Sequence, residues 1–279
     1  MIKMLVIDLD ETLLHTDKTI SSFTKATLER ASATGIKVVI ASARPIRAVK
    51  PFSEQIRCDA AICHNGAAMV MDNKNMGYSF CVPIKEATQL LITMQMKYPD
   101  KRLSIEIDDK IYANFDVTIF WGKTDKDREM LRASSVQTDF SDLPSIDADK
   151  VVIDLDSEEE YQDILTQLPP HLYGQLSDGG KLCLVMNRNA SKFNAIKRLA
   201  AFWGISIAEI AAFGDEFNDI EMLTHCGIGI AMKNAIPEVI QAAKTVTETN
   251  NDDGVAKYIE SNILKSRFSS ISERPSKPL

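Results

Sequence analysis

The segment Met4-Leu5-Val6-Ile7-Asp8-Leu9-Asp10 is a continuous apolar run that stops abruptly at two carboxylates one residue apart. An apolar run without polar alternation reads as a strand covered on both faces, the condition of a parallel sheet held between helices. Such sheets bind ligands at the carboxyl ends of their strands. Two carboxylates at that edge repel each other in a partly desolvated crevice unless they share a cation. The pair therefore asks for a metal.

The same grammar recurs along the chain. Ser21 or Ser22 opens a helix expected to bury Phe23, Ala26, Leu28 and Ala31 and to stop at Gly35. Lys37–Ala41 then makes a second buried strand, so strand, helix and strand form a parallel βαβ unit. A third strand, Ala60–Cys63, runs into the turn signal Asn65-Gly66. Further on, Ser191 caps a helix with Phe193, Ile196, Leu199, Ala200 and Trp203 on one face, and Gly204 stops it. Ile210–Phe213 is another buried strand, ending at Gly214-Asp215, and Ile228–Met232 and Thr245–Thr247 are further strands. From residue 82 to 184 the pattern changes: 103–107 and 111–115 alternate in polarity around Asp108-Asp109-Lys110, the mark of a hairpin with one open face. Strands at 150–155 and 181–185 and helices at 84–97 and 157–168 complete an α+β module inside an α/β one. Past Ile263 the chain is rich in Ser, Arg, Lys and Pro and reads as a frayed tail.

A net charge of −7 and a pI of about 5.2 give no general affinity for a phosphate backbone, so nucleic acid is not an expected partner. Cys58, Cys63, Cys81, Cys183 and Cys226 form no CxxC pair, which suits reduced thiols, with Cys63 and Cys183 in the core. The four histidines lack ligand spacing, which argues against zinc. No apolar stretch is long enough to span a bilayer, and the chain enters its first strand without a charged-then-apolar leader. The expectation is a soluble, cytoplasmic protein without a membrane partner.

Three apolar strands end in chemically capable residues: Asp8 and Asp10 after the first, Ser42 after the second, and Asp215 after the Ile210 strand, with Asp219 one helical turn on. In a parallel sheet with right-handed crossovers these ends share one edge. Lys192 joins them from a helix N-terminus, where the dipole also favours an anion. Any one of these alone is as readily a turn, a cap or a solvated charge. Together they make a hard, all-oxygen site that suits Mg²⁺.

Asp8-Leu9-Asp10-Glu11-Thr12, Ser42, Lys192 and Gly214-Asp215-Glu216-Phe217-Asn218-Asp219 resemble, in order, the four motifs of the haloacid dehalogenase-like phosphohydrolases. The long insert, with Asn65-Gly66-Ala67 before it and Asn234-Ala235 and Asp253-Gly254-Val255-Ala256 after it, resembles the Cof-type branch, and the likeness covers residues from about 1 to 264. Two positions depart from the pattern: Glu11 stands where Gly is usual, and Ser42-Ala43-Arg44 replaces Thr-Gly-Arg. The resemblance implies an α/β fold, a doubly wound, Rossmann-like parallel sheet core from residues 1–81 and 185–279 with an inserted α+β cap domain, 82–184, that sets substrate specificity. It implies a phosphatase working through an aspartyl-phosphate: Asp8 as nucleophile, Asp10 as acid and base, Ser42 and Lys192 on the phosphoryl group, and Arg44, Asn65 and Asn218 as further substrate contacts. Asp8, Asp10 (through its main-chain carbonyl), Asp215 and Asp219 would hold Mg²⁺ or order its waters. The implied substrates are small phosphorylated metabolites, sugar phosphates or phosphorylated cofactors such as pyridoxal phosphate and FMN. A phosphomutase using the same intermediate, and a catalytically silent binding protein, are the alternatives; the sequence does not speak to oligomeric state.

Overall fold

Met4–Asp8 is buried along its whole length and lies inside an eight-stranded sheet. The structure, a computed structural model, describes residues 1–71, 74–78 and 80–265; the expected tail beyond that point lies outside the described residues. The chain divides into one unit made of 1–77 with 191 onward and a second made of 78–190.

In the first unit the strand order is Thr245–Val246, Ile228–Ala231, Ile210–Gly214, Met4–Asp8, Lys37–Ala41, Ala60–Cys63, Ala68–Met71, Lys74–Tyr78. The first six run parallel, and Ala68–Met71 is antiparallel to its neighbour. From Met4–Asp8 the chain winds outward through Lys37–Ala41 and Ala60–Cys63, then returns to the other side at Ile210–Gly214. The winding direction thus reverses beside the first strand, which is where open α/β sheets place their sites. Register puts Asp8 level with Ala41 and Ile7 level with Phe213, so Asp8, Ser42 and Gly214-Asp215 emerge on one edge.

The helix Ser22–Ala33 starts where its cap predicts, with Ser21 accepting the Thr24 N–H. Its inner face is Thr24, Thr27, Leu28 and Ala31, whereas Phe23 is 40% exposed. The correction is one of register: the i, i+3, i+4, i+7 stripe runs through the threonines, whose methyl groups serve the core, and Phe23 falls beside it. No helix among the described residues is long and apolar enough to cross a membrane.

The second unit has a six-stranded sheet in the order Leu172–Ser177, Leu182–Asn187, Lys150–Asp154, Leu103–Ile107, Lys110–Ala113, Ser135–Gln137. All its pairings are antiparallel except the last. Helices Ile84–Lys97 and Glu158–Gln167 contribute Leu91, Met94 and Ile164 to the same apolar cluster as Leu103, Ile105, Ile107, Val151, Ile153, Cys183 and Val185. Ile111, Ala113, Val117 and Leu131 form a separate cluster. The hairpin turns through Asp108 and Asp109, both left-handed at φ 49° and 61°, the geometry of a two-residue turn that matches strand twist. Its expected open face is absent: all five residues of Leu103–Ile107 are buried, Ser104 and Glu106 included. Residue 184 falls inside the strand Leu182–Asn187, whose partners all belong to the second unit, so the structural division comes later, at 190.

Candidate active site

Asp8 is the last residue of its strand and is 7% exposed. Lys192 opens the helix Lys192–Trp203, whose cap Ser191 accepts the Asn194 N–H and whose C-terminus closes on Gly204 at φ 63°. The Lys192 side chain is 1% exposed and donates to Asp8 Oδ1 at 2.5 Å and to Asp219 Oδ1 at 2.7 Å. The second Asp219 oxygen accepts the backbone N–H groups of Asp215 and Glu216, at 3.0 and 3.1 Å. Asp219 is therefore fully engaged in shaping the turn after Ile210–Gly214. Gly214 is required there, because a Cβ would collide with the Asp219 side chain.

Carboxylate oxygens of Asp8, Asp215 and Asp219 all lie within 4.8 Å of one another. One ammonium faces three acids, and the imbalance shows in their acidities. Burial pushes the Asp8 carboxyl well above the usual carboxylate range, the Lys192 charge opposes this, and Asp219 and Asp215 add to it. Burial also raises Asp215 to about 6, although Thr12 Oγ1 donates to its Oδ1 at 2.7 Å. Burial would strip the proton from Lys192, but the Asp219 and Asp8 charges outweigh it and hold the ammonium above its ordinary value. A small, all-oxygen donor set with surplus negative charge fits a hard divalent cation, which relieves the repulsion. Asp8 and Asp215 are the side chains with donor capacity to spare.

The Asp10 carboxylate is placed differently. Arg44 forks onto it, Nε to Oδ2 at 2.7 Å and a terminal nitrogen to Oδ1 at 2.5 Å, and Lys18 Nζ donates to Oδ1 at 3.2 Å. Burial works against ionisation, but the Arg44 and Lys18 hydrogen bonds and charges win and lower its pKa. Among the expected metal residues, then, Asp10 has its side chain turned to cations of the protein and stands outside the three-carboxylate group. Glu11 adopts φ 53°, and its carboxylate accepts from Lys18 at 3.0 Å, Thr16 at 3.1 Å and Asn250 at 3.1 Å. These partners hold a non-glycine residue where glycine is conformationally easier.

Ser42 is 1% exposed, and its Oγ accepts the Arg44 N–H at 3.1 Å. Its carbonyl accepts the Asn65 N–H at 3.1 Å, and Asn218 donates to Asn65 Oδ1 at 2.9 Å. The three strand ends are thus joined through one hydrogen-bonded series. Sequence reasoning assigns no part to Thr12, Lys18, Asn234 or Asn250. Asn234 donates to the Glu11 carbonyl at 2.8 Å, and Asn250 to the Leu14 carbonyl at 2.9 Å. Thr12 carries a signal through its place in the first motif; Lys18 has none beyond its charge.

Residues 5–259 match a family model described as haloacid dehalogenase-like hydrolase. A Haemophilus influenzae protein with a provisional phosphatase name is 31% identical over 263 residues, covering 93% of this chain and 98% of that protein. A 5-amino-6-(5-phospho-D-ribitylamino)uracil phosphatase of Bacillus subtilis is 26% identical over 270 residues, covering 92% and 96%. The crystal structure of a haloacid dehalogenase-like hydrolase from Bacteroides thetaiotaomicron matches with a TM-score of 0.80 at 25% identity, over 93% of this chain and 99% of that one. With the ordered motifs gathered on one sheet edge and the family match running through nearly the whole described chain, the chain belongs to the haloacid dehalogenase-like hydrolases and is a phosphatase among them.

Proposed function

We propose that this phosphatase hydrolyses phosphate monoesters of small metabolites in two steps through an aspartyl-phosphate on Asp8, with Mg²⁺ as its metal. The observation that carries the reading is Asp8 at a strand end, 2.5 Å from the Lys192 ammonium and grouped with Asp215 and Asp219. An Asp8 oxygen attacks phosphorus while the bond to the alcohol oxygen breaks, and Asp10 gives that oxygen a proton. Asp10 then takes a proton from water, which attacks the same phosphorus, frees inorganic phosphate and restores Asp8. Lys192 and Ser42 hold the phosphoryl oxygens, and Arg44, Asn65 and Asn218 line the approach.

Asp8, the Asp10 carbonyl and Asp215 are the metal ligands in this proposal, with Asp219 fixing the turn behind them. When bound, Mg²⁺ supplies neutralisation of the acidic side chains and of the phosphoryl oxygens. Arg44 and Lys18 keep Asp10 ionised, which suits its role as base. An incoming phosphate dianion competes for both cations, and that loosening favours the proton uptake Asp10 needs to act as acid. The inserted unit, 78–190, is assigned the choice of alcohol. Sugar phosphates and phosphorylated cofactors are the proposed substrates, a class consistent with the ribityl phosphate named for the Bacillus subtilis relative.

The test is phosphate release from a panel of phosphorylated metabolites, with and without Mg²⁺, by wild type and Asp8→Asn. Release only by wild type and only with the metal is expected. An Asp8→Asn protein as fast as wild type overturns the assignment.

A further inference from the structure

The loop that follows Asp8 carries two non-glycine residues in the left-handed region, Glu11 at φ 53° and Lys18 at φ 64°. Strained backbone of this kind persists only where its surroundings hold it, and it gathers at functional sites. Lys18 belongs to a tight turn, in which the His15 N–H donates to the Thr19 carbonyl at 3.0 Å and the Lys18 N–H to the His15 carbonyl at 2.8 Å. Its side chain is half-exposed, and one exposed ion pair would hold such a flexible ammonium only weakly. Two carboxylates hold it instead, Asp10 Oδ1 at 3.2 Å and Glu11 Oε1 at 3.0 Å. Glu11 is fixed in its turn: Asn234 donates to its carbonyl at 2.8 Å, and Asn250 and Thr16 donate to its Oε2, each at 3.1 Å. Asp253 Oδ1 accepts from Ser21 at 2.6 Å and Thr24 at 2.9 Å and lies 3.1 Å from His15 Nε2. Asn234 and Asp253, which open the two late motifs and lie outside the acidic group, thus anchor the arm that carries Lys18.

The arm ends on Asp10. Each carboxylate oxygen has about two lone-pair sites. Oδ1 accepts from an Arg44 terminal nitrogen at 2.5 Å and from Lys18 at 3.2 Å, so both of its sites are filled. Oδ2, among the described residues, accepts only from Arg44 Nε at 2.7 Å and keeps a site open. We propose that Glu11 and Lys18 are positioning residues for proton transfer at Asp10: Lys18 closes Oδ1, Oδ2 is left as the atom that takes and gives the proton, and Glu11 keeps Lys18 in place while the phosphate dianion pulls on it. Proton transfer needs the reacting oxygen within hydrogen-bond reach of its partner. With Oδ1 open, water and alcohol divide their contacts between two oxygens, of which Oδ2 alone is aligned for the reaction. The Glu11 and Lys18 charges cancel, so the pair gives direction without adding a net charge beside the phosphoryl group. Glycine at position 11 would adopt the same backbone more easily, but would leave Lys18 with Asp10 as its one carboxylate partner. The inference rests on the proposed role of Asp10 and adds to it the reacting atom and the residues that select it.

The experiment measures kcat/KM of the full-length enzyme with Mg²⁺ on D-glucose 6-phosphate, whose alcohol leaves only with a proton, and on p-nitrophenyl phosphate, whose leaving group needs none. The ratio of the first value to the second is expected to fall about fivefold or more in Glu11→Gly and in Lys18→Ala. Glu11→Gln, which keeps an acceptor for Lys18, is expected to recover part of that fall. The double variant of Glu11→Gly and Lys18→Ala is expected to show a ratio no lower than Lys18→Ala alone, because Glu11 acts through Lys18. Glu11→Gly is expected to unfold within about 4 °C of wild type, so the change in ratio does not come from a damaged fold. Equal losses on the two esters overturn the inference, as do losses that multiply in the double variant or a wild-type ratio in either single variant. Asp10→Asn separates this inference from the reading beneath it. If that variant keeps the wild-type ratio, the role of Asp10 falls; if its ratio collapses while those of Glu11→Gly and Lys18→Ala do not, the positioning alone falls.

Discussion

Arg44 grips both oxygens of the Asp10 carboxylate, at 2.7 and 2.5 Å, in a planar two-point contact. A guanidinium makes this fork and an ammonium does not. Arg44→Ala is expected to lower kcat/KM about 10- to 100-fold, the equivalent of a lost charge-assisted contact of about 1.5–3 kcal/mol. Arg44→Lys should recover only part of that loss. Steady-state kinetics on one phosphate ester decide the matter, and a lysine variant equal to wild type would show that the fork is irrelevant to turnover.

Surplus negative charge around Asp8, Asp215 and Asp219 makes metal binding a stability event. A ligand that binds only the folded state stabilises it by about 2.7 kcal/mol at a hundredfold excess over Kd. Added Mg²⁺ should therefore raise the unfolding temperature of wild type, chelator should reverse it, and Asp215→Asn should shrink the shift by more than half. Equal shifts in both proteins, measured by calorimetry, would remove Asp215 from the ligand set.

Gly66 sits at φ 104°, where a Cβ would collide with the backbone carbonyl of Ser191. Gly66→Ala should destabilise by about 1–3 kcal/mol, as overpacking does, and should reduce activity because Ser191 caps the helix that begins with Lys192. Gly35 is the control: its φ is 85° but nothing lies within 4 Å of the place a methyl would take, so Gly35→Ala should cost only the backbone term of about 1–2 kcal/mol and leave turnover alone. Urea midpoints and rates for both variants test the contrast; a matched loss of activity in the two would sink it.

Asp149 gives the inserted unit a pH dependence. Burial raises its carboxyl to about 8, with Glu106 and the Asp108 and Asp109 charges adding and Lys150 opposing. The folded value lies above the unfolded one of roughly 3.9, so its contribution to stability is full below that pH and is lost as pH rises toward the folded value. Between pH 4 and 8 the unfolding midpoint of Asp149→Asn should therefore fall less steeply than that of wild type. Parallel profiles would mean that Asp149 ionises freely in the folded protein.

Asp8 and Asp215 of the acidic group were legible because each follows an unalternating apolar run, which fixes both burial and direction, and Asp219 because it lies one helical turn beyond Asp215. Asp8, Ser42 and Asp215 needed only the parallel winding to meet. What lay outside the sequence pattern depends on long side chains crossing between loops: the Arg44 and Lys18 grip on Asp10, and the asparagines that hold Glu11. Ser104 and Glu106 were misplaced for a different reason. Alternation in polarity marks which residues share a face, but solvent covers that face only when nothing else does, and here both are buried. Phe23 shows the reverse case, an aromatic left outside because threonine methyls fill the inner stripe.

The close approach of Gly66 to Ser191 fixes the point at which the chain re-enters the first unit after residue 190. Lys192 is thereby positioned from the near side of that junction, without reference to what precedes it. Exchange of the stretch 78–190 for a longer, shorter or unrelated module would leave the lysine in register with Asp8, so one reaction centre could be inherited intact while its selectivity diversifies.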